Sequence, residues 1–105
     1  MLYCFVSLQQ FIKYPIDMDF ILSRHAREQM SRRGINHDTV MMVVSCPDQT
    51  IADNETPTKI VYQSLIHEDN RMFLLRVFVE TDKHPNVILT VYKTSKISKY
   101  YESKI

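Results

Sequence analysis

The chain is 105 residues long, 45% hydrophobic, with 13 basic and 12 acidic side chains and a net charge of +1. That length supports one compact core and leaves little for a second domain. The balanced charge excludes a uniformly basic nucleic-acid binder. Cys4 and Cys46 form no CxxC pair and share no zinc-type spacing with a histidine, so a reduced pair is expected, with neither a disulfide framework nor a metal site. Residues 1–19 read as an N-terminal extension or edge strand ahead of a single domain over 20–105. The opening run MLYCFVSLQQFI lacks a basic start and is too short and polar to span a bilayer. A cytoplasmic protein without a membrane anchor is expected.

Two helices come next. Ser23 stands ready to cap a helix over Arg24–Arg33, and Gly34, the one glycine of the chain, falls at its C-terminal turn. Asn36 then caps a second helix with Asp38 in its first turn. Val40, Met41 and Val44 give that helix its apolar stripe, and Pro47 ends it. Beyond Pro47 the period changes. Segments 49–53, 58–66, 71–80 and 86–94 are rich in β-branched and aromatic residues and are divided by DNETP, HEDN and TDKHPN. Short connections require antiparallel neighbours, so this half reads as a four-stranded meander. Phe73, Leu75, Val77 and Val79, with Val87, Leu89 and Val91, are expected under the helices. Leu74, Arg76 and Phe78, with Ile88, Thr90, Tyr92 and Thr94, are expected on the opposite face. The tail KTSKISKYYESKI reads as a short helix or an extension.

The residue types exclude several chemistries. One glycine cannot build a phosphate-binding loop, and neither HExxH, GxSxG nor a paired-carboxylate arrangement is present. What remains is arginine, histidine and tyrosine. The first helix displays Arg24, His25, Arg27, Arg32 and Arg33 against Glu28, with His25, Gln29 and Arg32 on one face. An arginine fork suits a phosphate, though an arginine at a core edge is often held by a carboxylate or the helix C-terminal carbonyls. A histidine titrates near neutrality, though a lone helical histidine is more often structural or exposed. On the sheet, Arg76, Thr90 and Tyr92 could converge as a polar patch.

The run LSRHAREQMSRRGI, with the later LLRVFVE and VILTVYKTSK, resembles the domain of unknown function family 4258, whose opening is a variant of S-x-H-A-x-E-R-M-x-x-R-G-I. The resemblance covers about residues 20–96. That family is similar to the small RelE-like ribonuclease toxins of bacterial toxin–antitoxin modules. The resemblance implies an α+β domain, two N-terminal helices packed on a four-stranded antiparallel sheet, that cleaves RNA without a metal or other cofactor. Position by position, it marks His25 and Arg33 in the helical motif, Arg76 in the third strand, and Thr90 and Tyr92 in the TVY motif. Gln29 departs from the pattern, standing where arginine is usual. On this reading His25 or Tyr92 serves as acid or base, and Arg33 and Arg76 stabilise the phosphate. Arg24, Arg27, Arg32, Thr90, Lys93, Thr94 and Lys96 contact RNA. The implied partners are a cognate antitoxin and RNA, free or ribosome-bound, with a homo-oligomer left open. A non-catalytic protein- or RNA-binding module, with Tyr62, Phe78 and Tyr92 as stacking groups, is the alternative.

The charge is segregated behind its small total. Residues 24–33 carry a net +3 and residues 91–105 another +3, while residues 38–82 carry −5. A local basic field therefore survives the overall balance.

Overall fold

The computed structural model describes residues 20–52 and 55–101. In chain order these form β1 (Phe20–Leu22), α1 (Arg24–Arg33), α2 (His37–Ser45), β2 (Gln49–Ala52), β3 (Lys59–Glu68), β4 (Arg71–Glu80), β5 (Asn86–Thr94) and α3 (Ile97–Tyr100). The α+β class holds, but the sheet is five-stranded and mixed, in the order β1-β5-β4-β3-β2. The three residues of β1 pair in parallel with Asn86–Ile88, while the other strands are antiparallel. Residues 1–19 otherwise lie outside the described part, and so does Cys4. Cys46 is not a free thiol, contrary to the reduced state expected for it.

Local chemistry accounts for both helices. Ser23 keeps an extended backbone and its hydroxyl accepts the Ala26 N–H at 3.0 Å, filling one of the orphan donors of α1. Gly34, at φ 67° and ψ 36°, takes the left-handed conformation that closes the helix, and the Ile35 N–H returns to the Met30 carbonyl at 2.9 Å. The Asn36 side chain accepts from the amides of Asp38 and Thr39. From α2, Val40, Val43 and Val44 are buried, whereas Met42 faces outward. The β3–β4 hairpin turns through Asp69 and Asn70 alone, both at positive φ. Asp and Asn tolerate that geometry, which matches the twist of a two-residue hairpin.

The core lies between the two long helices and one sheet face. Ala26 and Met30 of α1, with Val40, Val43 and Val44 of α2, pack on Leu75, Val77 and Val79 of β4 and on Ile88 and Val91 of β5. The expected assignment of β5 fails here in a specific way. A bulge between the Phe78–Thr90 and Val79–Ile88 pairs inserts Leu89 into β5, and an extra residue reverses the alternation of side chains beyond it. Ile88 consequently sits under the helices with Val91. Val87 pairs with Glu80 and shares the opposite face.

Where the short outer strands stop, neighbouring groups, mostly side chains, take up the outward backbone groups of β5 and β3. Beyond β1, the Ser23 amide donates to the Ile88 carbonyl, the Ser23 hydroxyl to the Leu89 carbonyl, and Gln29 Oε1 accepts the Val91 N–H at 2.9 Å. Beyond β2, Asp48 Oδ2 accepts the Leu65 N–H at 2.9 Å while the Asp48 amide bonds Ser64 Oγ. Such capping satisfies the outward amides and blunts pairing with other chains.

Candidate functional site

The face turned away from α1 and α2 carries a row of polar side chains across four strands. Gln49, Gln63, Arg76 and Tyr92 are successive cross-strand partners in β2, β3, β4 and β5. They form a continuous chain of hydrogen bonds. Gln63 Nε2 donates to Gln49 Oε1 at 2.8 Å, Arg76 Nε donates to Gln63 Oε1 at 2.8 Å, and Arg76 Nη1 donates to the Tyr92 hydroxyl at 2.9 Å. Gln63 Nε2 also donates to the Tyr100 carbonyl at 3.2 Å, which ties α3 down onto this face.

Three aromatic rings surround the Arg76 guanidinium. Its carbon lies 4.3 Å from the centre of the Tyr100 ring, 5.3 Å from Phe78 and 5.8 Å from Tyr92. Phe78 and Tyr92 are near-parallel with centroids 6.1 Å apart, and Tyr100 stands edge-on to Tyr92 at 6.5 Å. A cation over a ring contributes about 0.5–2 kcal/mol, so these contacts fix the fork as firmly as its hydrogen bonds do. The groups that hold Arg76 are neutral, and its charge is not cancelled by them.

Tyr100 adds a titratable oxygen. Its phenol is held below the ordinary range, first by a hydrogen bond with Lys99 and the Lys99 charge, then by a hydrogen bond with Tyr92; desolvation opposes this, and the charge of Arg76 adds the smallest contribution. Lys99 Nζ also lies 5.2 Å from the Tyr100 ring centre. Tyr62 is the contrast. It pairs with Val77 on the helix side and meets Phe20 edge-on at 6.0 Å, where burial pushes its phenol up. It therefore stands apart from the Phe78–Tyr92 pair with which it was expected to stack bases.

The expected site residues divide between the two sides of the sheet. Arg76 and Tyr92 meet directly, and Thr90 is beside them as the partner of Phe78. Thr94 shares the face, but its hydroxyl accepts the Lys96 amide at 3.0 Å and turns the chain toward α3. Lys93 points to the helix side, where its Nζ meets Glu68 Oε1 at 2.6 Å and lies 5.1 Å from the Phe73 ring. His25, Arg24, Arg27, Arg32 and Arg33 are exposed on α1. Arg24 makes only a 4.0 Å pair with Glu28, and Arg27 Nη1 donates to the Leu22 carbonyl at 3.2 Å. Among the described residues, no hydrogen bond, ion pair or ring contact joins His25 or Arg33 to Arg76 or Tyr92. The same residues contain no cluster of three metal-ligating side chains and no helix long and apolar enough to cross a membrane.

Sequence reasoning passed over Gln63 and Tyr100. A glutamine inside a strand and a tyrosine in a polar tail have no motif; only the register of Gln63 opposite Arg76 could have drawn attention to it.

Residues 22–93 match the family described as Domain of unknown function (DUF4258). The chain belongs to that family. The match spans both long helices and nearly all of the sheet, and ends one residue past Tyr92. Gln63, Arg76 and Tyr92 thus lie within the family's domain, whereas Tyr100 lies beyond the matched residues. No curated protein and no solved structure matches the chain.

Proposed function

We propose that this DUF4258 chain binds RNA at the Arg76–Tyr92–Tyr100 face and cleaves it, as the toxin of a RelE-like toxin–antitoxin module. The observation that carries this reading is the setting of Arg76: a guanidinium fixed between three rings by neutral acceptors, with an acidified phenol alongside. A preorganised cation of this kind suits the charge that develops on a phosphate in its transition state. The aromatic rings suit unstacked bases of single-stranded RNA.

The reaction that fits is internal transesterification. The substrate 2′-oxygen attacks the adjacent phosphorus and gives its proton to the Tyr100 phenolate. The bond from phosphorus to the 5′-oxygen breaks, and that oxygen takes the proton of the Tyr92 hydroxyl. The products are a 2′,3′-cyclic phosphate and a 5′-hydroxyl. Arg76 stabilises the phosphorane oxygens. The arginines of α1 act outside this step, as backbone contacts. A cognate antitoxin would cover the same face.

Incubating the purified protein with total RNA and with ribosomes, and mapping the ends formed, tests the proposal. Arg76→Ala and Tyr100→Phe are expected to lower cleavage by about 10²-fold or more. Wild-type cleavage by both variants would sink it. The second reading, RNA binding without cleavage, draws on Gln29. This side chain is engaged as an acceptor for the Val91 amide, a task arginine cannot perform because it has no acceptor atom. Tight binding of RNA that stays intact would decide for that reading.

A further inference from the structure

We propose that Gln63 is the positioning residue of this site, a neutral buried amide that aims the Arg76 guanidinium while keeping its charge free, and that docks the Tyr100 turn onto it. The proposal rests on the reading of Arg76 as an RNA-phosphate ligand, and adds the element that makes Arg76 usable.

Gln63 is 0% exposed in the middle of the sheet. Both of its amide hydrogens are engaged, by Gln49 Oε1 and the Tyr100 carbonyl, and its oxygen accepts from Arg76 Nε. The amide can sit only one way round, because both partners of its nitrogen are acceptors and the partner of its oxygen is a donor. A carboxylate at this position would pair with Arg76 and cancel its charge, while an apolar side chain would release both the fork and the turn. Glutamine alone offers one acceptor to the arginine and two donors to the other side. The groups around it are Gln49 on β2, Arg76 on β4 and the Tyr100 backbone on α3. Tyr92 on β5 is linked through Arg76, and Lys99 flanks Tyr100.

Three variants of the full chain test this: Gln63→Glu, Gln63→Met and Arg76→Ala, each first shown to be folded by circular dichroism. The probes are a mixed-sequence single-stranded RNA oligonucleotide, titrated at several salt concentrations, and the ultraviolet signature of Tyr100 ionisation, identified by its loss in Tyr100→Phe. Gln63→Glu is expected to bind the oligonucleotide about tenfold more weakly, with a log K against log salt slope shallower by about 0.7, the loss of one phosphate contact. A merely structural role would not change that slope. Gln63→Met is expected to raise the ionisation midpoint of Tyr100, because the released turn leaves Arg76 and Tyr92 behind. Wild-type slope in Gln63→Glu together with unmoved Tyr100 ionisation in Gln63→Met overturns the proposal. If Arg76→Ala binds RNA as the wild type does while Gln63→Met still shifts Tyr100, the positioning role stands and the RNA reading falls.

Discussion

On α1, Arg24, Arg32 and Arg33 project into solvent, and the one ion pair there among the described residues, Arg24 with Glu28, is 4.0 Å long between largely exposed side chains. On the far side of the sheet, Arg76 is gripped by Gln63 and Tyr92 and enclosed by Phe78, Tyr92 and Tyr100. The helix holds more charge, but the sheet holds it still. An exposed arginine gives up side-chain entropy of up to about 2 kcal/mol when it settles on a ligand. Arg76 has already given that up in folding. Charge density thus points to α1, whereas preorganisation points to Arg76, and only the second is suited to stabilising a transition state.

Mutations can break this contrast. The largest effect is expected from Arg76→Ala, about 10²-fold or more in RNA cleavage, against less than about threefold for Arg33→Ala or Arg24→Ala under the same assay. Equal losses at the two places would abolish the distinction. Arg76→Lys should cost about tenfold or more, since an ammonium keeps the charge but cannot reach Gln63 and Tyr92 as a planar fork. Cleavage should also rise with pH through the ionisation of Tyr100, with its midpoint below that of an ordinary phenol. This follows if the phenolate is the base; a flat profile removes Tyr100 from that role.

Stability measurements sharpen the same contrast from the side of α1. Gln29→Leu orphans the Val91 amide and is expected to cost about 1–3 kcal/mol in denaturant unfolding. Gly34→Ala leaves open space around the new methyl but keeps it at φ 67°, which costs about 1–2 kcal/mol. Arg32→Ala, which removes no polar contact among the described residues, should stay within about 0.5 kcal/mol. On that expectation the inward side chains of α1 hold the sheet in place, while the exposed Arg32 contributes little to the fold.

The helices were legible because their ends are written in single residues, Ser23, Gly34, Asn36 and Pro47, whose local bonding needs no distant partner. All four predicted strands began and ended within two residues of the observed ones, and β4 and β5 matched at both ends. β1 was missed because three residues carry no period, and its parallel partner lies more than 60 positions along the chain. The helix face of β5 was misread because alternation assumes an unbroken ladder, which Leu89 interrupts. At the site, the Arg76–Tyr92 neighbourhood followed from strand alternation. Grouping them with His25 and Arg33 did not, because motif positions in sequence say nothing of which side of a sheet each will occupy.

Leu89 has one more consequence. Tyr92 reaches Arg76 only because the strand changes step at that residue; counted from Ile88 under the helices, strict alternation would send position 92 under them too. The bulge acts as a half-turn of phase in the strand, handing Ile88 and Val91 to the interior and Tyr92 to the opposite face. Deleting Leu89 would leave nearly every side chain of the chain unchanged in identity, yet exchange the interior and exterior of the strand on one side of the cut. In this domain, spacing determines what a residue can do as much as its chemistry does.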